Sequence, residues 1–183
     1  MEEKKEFFTA KRVAILGVMT AVAYLLTLVS FPLFPSAPFL MLDFSFSIML
    51  LAGYMLGPLS AVVIVFAVNL LGAIGSSGGL TGALANTVTA VVFVVIPSLA
   101  YKYKKGFKWV IIVLSLCILL QCAVSLPMNR YVTFYIFSIK DPAGLFARVW
   151  WCILLFNFIK GVATGVITVL LYKRLKNLLG KFL

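Results

Sequence analysis

Apolar residues in this chain run in long blocks rather than alternating or recurring at an amphipathic spacing. The blocks fall at about 13–30, 47–56, 58–73, 82–101, 109–129 and 145–172, broken by short clusters of proline, glycine or basic residues. About 20 helical residues, at ~1.5 Å rise each, cross the ~30 Å hydrocarbon core of a bilayer. Each block therefore predicts a transmembrane helix. The second and third are short and meet at Gly57-Pro58, which breaks or sharply turns a helix. They are either two spans or one kinked element.

Charge placement decides between those readings. Lys4, Lys5, Lys11 and Arg12 precede the first block, Lys102, Lys104, Lys105 and Lys108 fill one short loop, and Lys173, Arg174, Lys176 and Lys181 follow the last block. Positive charge gathered at span ends marks the cytoplasmic side and suits anionic lipid headgroups. Six spans put all three clusters on one side, whereas five would split them. The prediction is an all-α integral membrane protein: a compact bundle of six transmembrane helices with N- and C-termini cytoplasmic. Residues 1–183 form a single membrane domain, with a cytoplasmic segment 1–12, helices over about 13–172 and a basic cytoplasmic tail 173–183. The net charge of +11 is thus directed at lipid, and no nucleic acid is expected as a partner.

The same count assigns 31–46, 74–81 and 130–144 to the outer face. The first two contain no Lys or Arg, and the third contains Arg130 and Lys140. The first, with Pro32, Pro35 and Pro38 among Phe31, Phe34, Phe39 and Leu40, is too apolar for a solvated connector. It is predicted to fold over the bundle or over a ligand. Val13 to Val29 is read as the first helix rather than a signal peptide, because Phe31-Pro32 and not a small-residue cleavage site follows it. No repeat of transporter-half length is visible, so an inverted-repeat carrier is not expected.

Composition adds one constraint. With 63% hydrophobic and 11% charged residues, against roughly 25% charged in soluble domains, the chain has too little polar surface for a water-soluble fold. The missing chemistry is equally informative. There is no histidine, and the acids Glu2, Glu3, Glu6, Asp43 and Asp141 all lie outside the predicted spans. No GxxxxGKS/T phosphate loop occurs. Cys117, Cys122 and Cys152 sit within apolar blocks and read as small core residues rather than metal ligands or a disulfide framework. Catalysis, a resident cofactor and a metal are not expected.

Polar side chains inside spans are costly and each asks for a partner. Asn157-Phe-Ile-Lys160 places an amide and an ammonium on one helix face. Lys160 either snorkels to the headgroups or faces a polar cavity. Asn69 reads as interhelical hydrogen-bond glue. Asn86, Asn129, Asn157 and Lys160 all fall toward the outer half, which predicts a pocket open to the outside for a neutral polar solute. Asp43 or Ser45 is expected to cap the second helix. Gly17-Val-Met-Thr-Ala21 lets another helix approach closely, in this chain or in a partner.

These residues resemble a known family: the substrate-binding S component of energy-coupling factor (ECF) vitamin transporters, and within it the riboflavin branch. The likeness is carried by Phe31-Pro-Leu-Phe-Pro-Ser-Ala-Pro-Phe-Leu-Met-Leu-Asp-Phe-Ser45, similar to the family's FP…P…L-x-DFSD stretch. It continues through Leu56-Gly-Pro58, Ala85-Asn86, Asn157-Phe-Ile-Lys-Gly161 and Tyr172-Lys-Arg174. Phe46 stands where the riboflavin branch commonly carries aspartate. The resemblance implies a plasma-membrane protein of a prokaryote that binds riboflavin from outside, as a transported ligand and not a cofactor, beneath a closing first loop. It implies delivery inward with a transmembrane coupling (T) protein and two ATPase subunits, docked against Gly17 and Ala21. Leu40, Asp43 and Phe44 would border the ligand, Asn129, Asn157 and Lys160 would meet its pyrimidine edge or ribityl hydroxyls, and Asn86 would line the wall. The alternatives are an S component for another vitamin or small polar solute, and a helical membrane assembly protein with no ligand.

Overall fold

Each predicted block is helical. The computed structural model describes residues 9–75, 79–137 and 139–179; Lys4, Lys5, Gly78 and Lys181, along with Glu2, Glu3 and Glu6, lie outside the described residues. The helices are α1 (Ala10–Leu28), α2 (Ser45–Leu56), α3 (Pro58–Gly75), α4 (Gly79–Tyr103), α5 (Phe107–Ile136) and α6 (Pro142–Leu179). Two boundaries differ from expectation. α6 runs on through the basic segment to Leu179 instead of ending at 172. α5 passes Pro127 and Asn129 through a π-helical turn at Asn129–Thr133, so much of the expected outer loop 130–144 is helix. Pro127 has no N–H to donate to the preceding turn, and a π turn at such a point is a known device for re-aiming side chains at functional sites.

Gly57 settles the question of one kinked element or two spans. Its φ of 98° is a conformation that side-chain-bearing residues avoid, and it reverses the chain so that α3 packs back along α2. α2 has 12 residues and is therefore only ~18 Å long, too short to cross the hydrocarbon alone. It has no need to, because ten of its residues are buried against α1, α3, α4 and α6. Enclosed in this way by protein, it need not match the bilayer in length. Residues 29–44 join α1 to α2 as largely irregular backbone, which membranes tolerate only where it is enclosed by protein or lines a cavity.

That loop bonds several of its backbone groups to one another. Phe31–Pro32 (β1) and Met41–Leu42 (β2) form a short antiparallel ladder with Phe31 opposite Leu42. Within it, Ala37 N donates to Phe34 O, Leu40 N to Ala37 O and Leu33 N to Leu40 O. Ala37, Leu40 and Leu42 are buried against Phe134, Val149, Ile153 and Phe156. Phe34 meets Trp151 edge-on at 5.8 Å, and Phe39 meets Phe134 likewise at 5.6 Å. The loop thus folds over the bundle, seated on α5 and α6.

The outward faces carry Val18, Leu25, Phe66, Leu70, Leu116, Leu119, Leu155, Phe158 and Leu170, an apolar surface suited to acyl chains. Polarity is kept inside: Gln121, Ser125, Asn157, Lys160, Thr164 and Thr168 are buried. The cysteines Cys117, Cys122 and Cys152 are buried free thiols. Gly161, directly after Lys160, lets α5 and α6 meet closely, since a Cβ there would lie 2.9 Å from Ile118 Cγ1. At the end remote from the loop, Tyr54, Tyr101 and Tyr172 stack together and join α2, α4 and α6, with Tyr101 and Tyr172 hydroxyls hydrogen-bonded.

Candidate functional site: a polar cavity under the first loop

The ends of α1, α3 and α5, the start of α4 and the middle of α6 surround a cavity of about 580 Å³ beneath the loop. Pockets of ~300–1,000 Å³ commonly hold small organic ligands. Leu40, Asp43, Asn86, Asn129, Asn157 and Lys160 all line it. Phe44, expected with them, is not among the lining residues. Its role is local: it stands at the N-cap of α2, and its carbonyl accepts the Ser47 N–H at 3.1 Å. Asn69 both lines the cavity and bonds across to α4, so the glue reading describes only half of its position. The apolar walls come from Phe39, Met41, Val68, Met128, Phe137 and Phe156.

Lys160 does not snorkel. Its side chain is buried and Nζ lies 2.9 Å from Asp43 Oδ2 and 3.4 Å from Asn86 Oδ1. The ammonium also rests 4.2 Å from the centre of the Phe46 ring, a favourable cation–π distance. Phe46 therefore supplies a π face beside Lys160, and the buried carboxylate comes from Asp43. Asp43 is not the simple cap that was expected. Its Oδ1 accepts the Ser45 N–H at 2.9 Å and the Ser45 hydroxyl, an Asx turn into α2, while Oδ2 is committed to Lys160. Burial pushes the Asp43 carboxyl upward, but the Lys160 charge and the Ser45 hydrogen bonds outweigh it and hold it below its ordinary value.

The amides are fixed by partners that can only accept. Asn69, Asn129 and Asn157 each donate Nδ2–H to the carbonyl four residues back, at Val65, Ser125 and Ile153, all at 2.8 Å. Asn86 donates to Asn69 Oδ1 at 2.6 Å. A continuous chain results: Val65 carbonyl, Asn69, Asn86, Lys160, Asp43, Ser45. It joins α3, α4, α6 and the loop, and so orients Asn69, Asn86, Lys160 and Asp43 on the wall. Asn129 owes its place to the π turn that begins with it, and Thr133 at the end of the same turn also lines the cavity. The sequence reading missed Thr133 and Gln121. Gln121, Ser125 and Asn129 recur at a spacing of four, which marks one helix face and would have been the signal.

The family of ECF transporter substrate-specific components matches residues 11–172. This chain belongs to that family. The S component is similar to the riboflavin transporter RibU of Staphylococcus aureus (strain TCH60), 32% identical over 92% of each chain. It is also similar to RibU of Streptococcus thermophilus, 29% identical over 97% of this chain and 89% of that protein, and to the riboflavin transporter FmnP of Bacillus subtilis, 28% identical over 91% and 92%. A solved S component of a bacterial ECF transporter superposes with a TM-score of 0.82 at 30% identity, covering 93% of this chain and 98% of that one. The S component is accordingly a multi-pass protein of the prokaryotic plasma membrane, and the reading as an assembly protein without a ligand falls. On α1, Gly17 and Ala21 are exposed, and no atom lies within 4 Å of a Cβ built on Gly17. Among the described residues, no helix packs on Gly17.

Proposed function

We propose that this S component captures riboflavin from outside the cell and delivers it inward as one subunit of an ATP-driven transporter. The cavity is the observation that carries this reading: amides and one ion pair line it together with aromatic and methionine side chains. Riboflavin has a flat, largely apolar ring system whose pyrimidine edge offers both donors and acceptors, and side-chain amides match such an edge. Asn129 and Asn157 meet that edge, Lys160 and Asn86 bind the remaining polar atoms, and Leu40 and Phe156 pack on the ring. Asp43 ties the loop to Lys160 and so links the floor of the pocket to its cover. The loop end of the bundle faces the medium and both termini face the cytoplasm. The whole chain acts as one membrane domain, and riboflavin is its cargo and not a cofactor.

Transport needs partners, because the chain has no phosphate loop of its own. A transmembrane coupling protein docks on the exposed Gly17–Ala21 face, and two ATPase subunits hydrolyse ATP. Flavin fluorescence tests capture: titrating riboflavin with the purified S component gives saturable quenching that weakens in Asn157→Ala and Lys160→Ala. A protein stripped of ligand that never quenches flavin overturns the assignment. Gly17→Leu or Ala21→Leu separates docking from capture, abolishing uptake in cells while quenching stays intact.

A further inference from the structure

We propose that Gln121 is a positioning residue for the pocket, acting on the ligand only through Asn157. Gln121 sits on α5, is 0% exposed and does not line the cavity. Its Nε2 donates to Asn157 Oδ1 at 3.0 Å. Asn157 in turn donates Nδ2–H to the Ile153 carbonyl at 2.8 Å. A carbonyl cannot donate, so the Asn157 amide has one orientation, and Gln121 must present its NH₂ to the oxygen left over. Gln121 clamps Asn157 from behind and occupies an acceptor site that would otherwise face the ligand.

The cost of this arrangement identifies its purpose. With its NH₂ turned to Asn157, Gln121 Oε1 is buried and has no hydrogen-bond partner among the described residues. Such an orphaned acceptor is unfavourable. Methionine or leucine at the same place would fill similar volume with no orphaned acceptor of its own, and would leave Asn157 Oδ1 free to turn to the cavity. The glutamine therefore serves the amide it touches and not the packing of α5 on α6. Asn129 provides the contrast: it donates to the Ser125 carbonyl at 2.8 Å, but among the described residues no group donates to its Oδ1. Two asparagines held alike by their own helices thus show the cavity different faces. Asn129 offers an open acceptor, and Asn157 offers an amide whose oxygen is partly engaged and whose second N–H is held in place.

This inference rests on the riboflavin reading, and the test separates the two. Riboflavin quenching titrations and ligand-free melting temperatures are measured for the wild-type chain, Gln121→Met, Asn157→Ala, Asn129→Ala and the two doubles containing Gln121→Met. Gln121→Leu replaces Gln121→Met if the latter does not fold. The expected result is about tenfold weaker riboflavin binding in Gln121→Met, with a ligand-free melting temperature unchanged or raised. That loss disappears when Asn157 is already alanine and persists in full when Asn129 is alanine. Unchanged affinity in Gln121→Met, or a loss that adds to that of Asn157→Ala, overturns the positioning role alone. A wild-type chain that does not bind riboflavin overturns the functional reading and this inference with it.

Discussion

Replacing Asp43 by asparagine removes one charge from the buried pair and little else. The new side-chain oxygen still accepts from the Ser45 N–H and hydroxyl, which Asp43 Oδ1 now does, so the turn into α2 survives. What changes is the surroundings of Lys160. Its ammonium, 2.9 Å from Asp43 Oδ2, would keep Asn86 Oδ1 at 3.4 Å and the rings of Phe46 at 4.2 Å and Phe156 at 5.9 Å. Orphaning one member of a buried ion pair costs about 3–5 kcal/mol. Both residues border the cavity, where water can partly solvate the orphan, so the lower end applies: about 3 kcal/mol for Asp43→Asn. Removing both charges is different, because an apolar replacement for a buried pair is often close to neutral. The double substitution Asp43→Asn/Lys160→Met should therefore recover most of the loss, giving a coupling of about 2 kcal/mol or more. Reversible unfolding in mixed micelles, followed by tryptophan emission, measures all four corners of the cycle. The double variant should remain folded yet bind riboflavin weakly. Costs that simply add, or an Asp43→Asn cost below about 1 kcal/mol, would refute the claim that this pair holds the loop to α6.

The same carboxylate sets a pH expectation. Its pKa is lowered by folding, so its stabilisation is complete above the unfolded value of about 3.9 and is lost as pH falls through the depressed folded value. Ligand-free stability should therefore show no Asp43-dependent change between pH 8 and 5, and an Asp43-dependent fall within that range would contradict the assignment. Asn129→Leu should weaken riboflavin binding by about 1–3 kcal/mol, the penalty for an unpaired polar group, as read by quenching. Gly161→Ala should destabilise by about 1–3 kcal/mol through overpacking, because its Cβ would lie 2.9 Å from Ile118 Cγ1. Adding Ile118→Ala should restore part of that in the same unfolding assay. Gly57→Ala should lower stability by about 1–3 kcal/mol through strain at its positive φ, visible as a lower melting temperature.

Much of this architecture was written in one dimension. The bilayer imposes length and apolarity on every span, so six blocks could be located, although α5 and α6 run on past their expected ends to Ile136 and Leu179, and Gly57-Pro58 marked the hairpin between two of them. The cost of intramembrane polarity likewise singled out Asn86, Asn129, Asn157 and Lys160, which the fold gathers into one cavity. Local rules failed where the deciding partner was remote. Asp43 reads locally as a helix cap, and only the fold brings it to Lys160, 117 residues away. Phe44 is expected at the ligand because an aromatic ring suits a flat apolar one, and the fold places it at the N-cap of α2, outside the residues that line the cavity. The π turn in α5 carries the helix past Pro127 and redirects Asn129 and Thr133, which hydropathy cannot register.

The sequence by itself determined the membrane class, the number of spans and the identity of the polar groups, because solvation by lipid acts on each residue according to its own chemistry. Only the tertiary structure decided how those groups are paired and oriented. Hydrogen bonds and ion pairs depend on distances of about 3 Å between helices, and such distances are set by packing: the close approach at Gly161, the enclosure of α2 and the seating of the loop on α6.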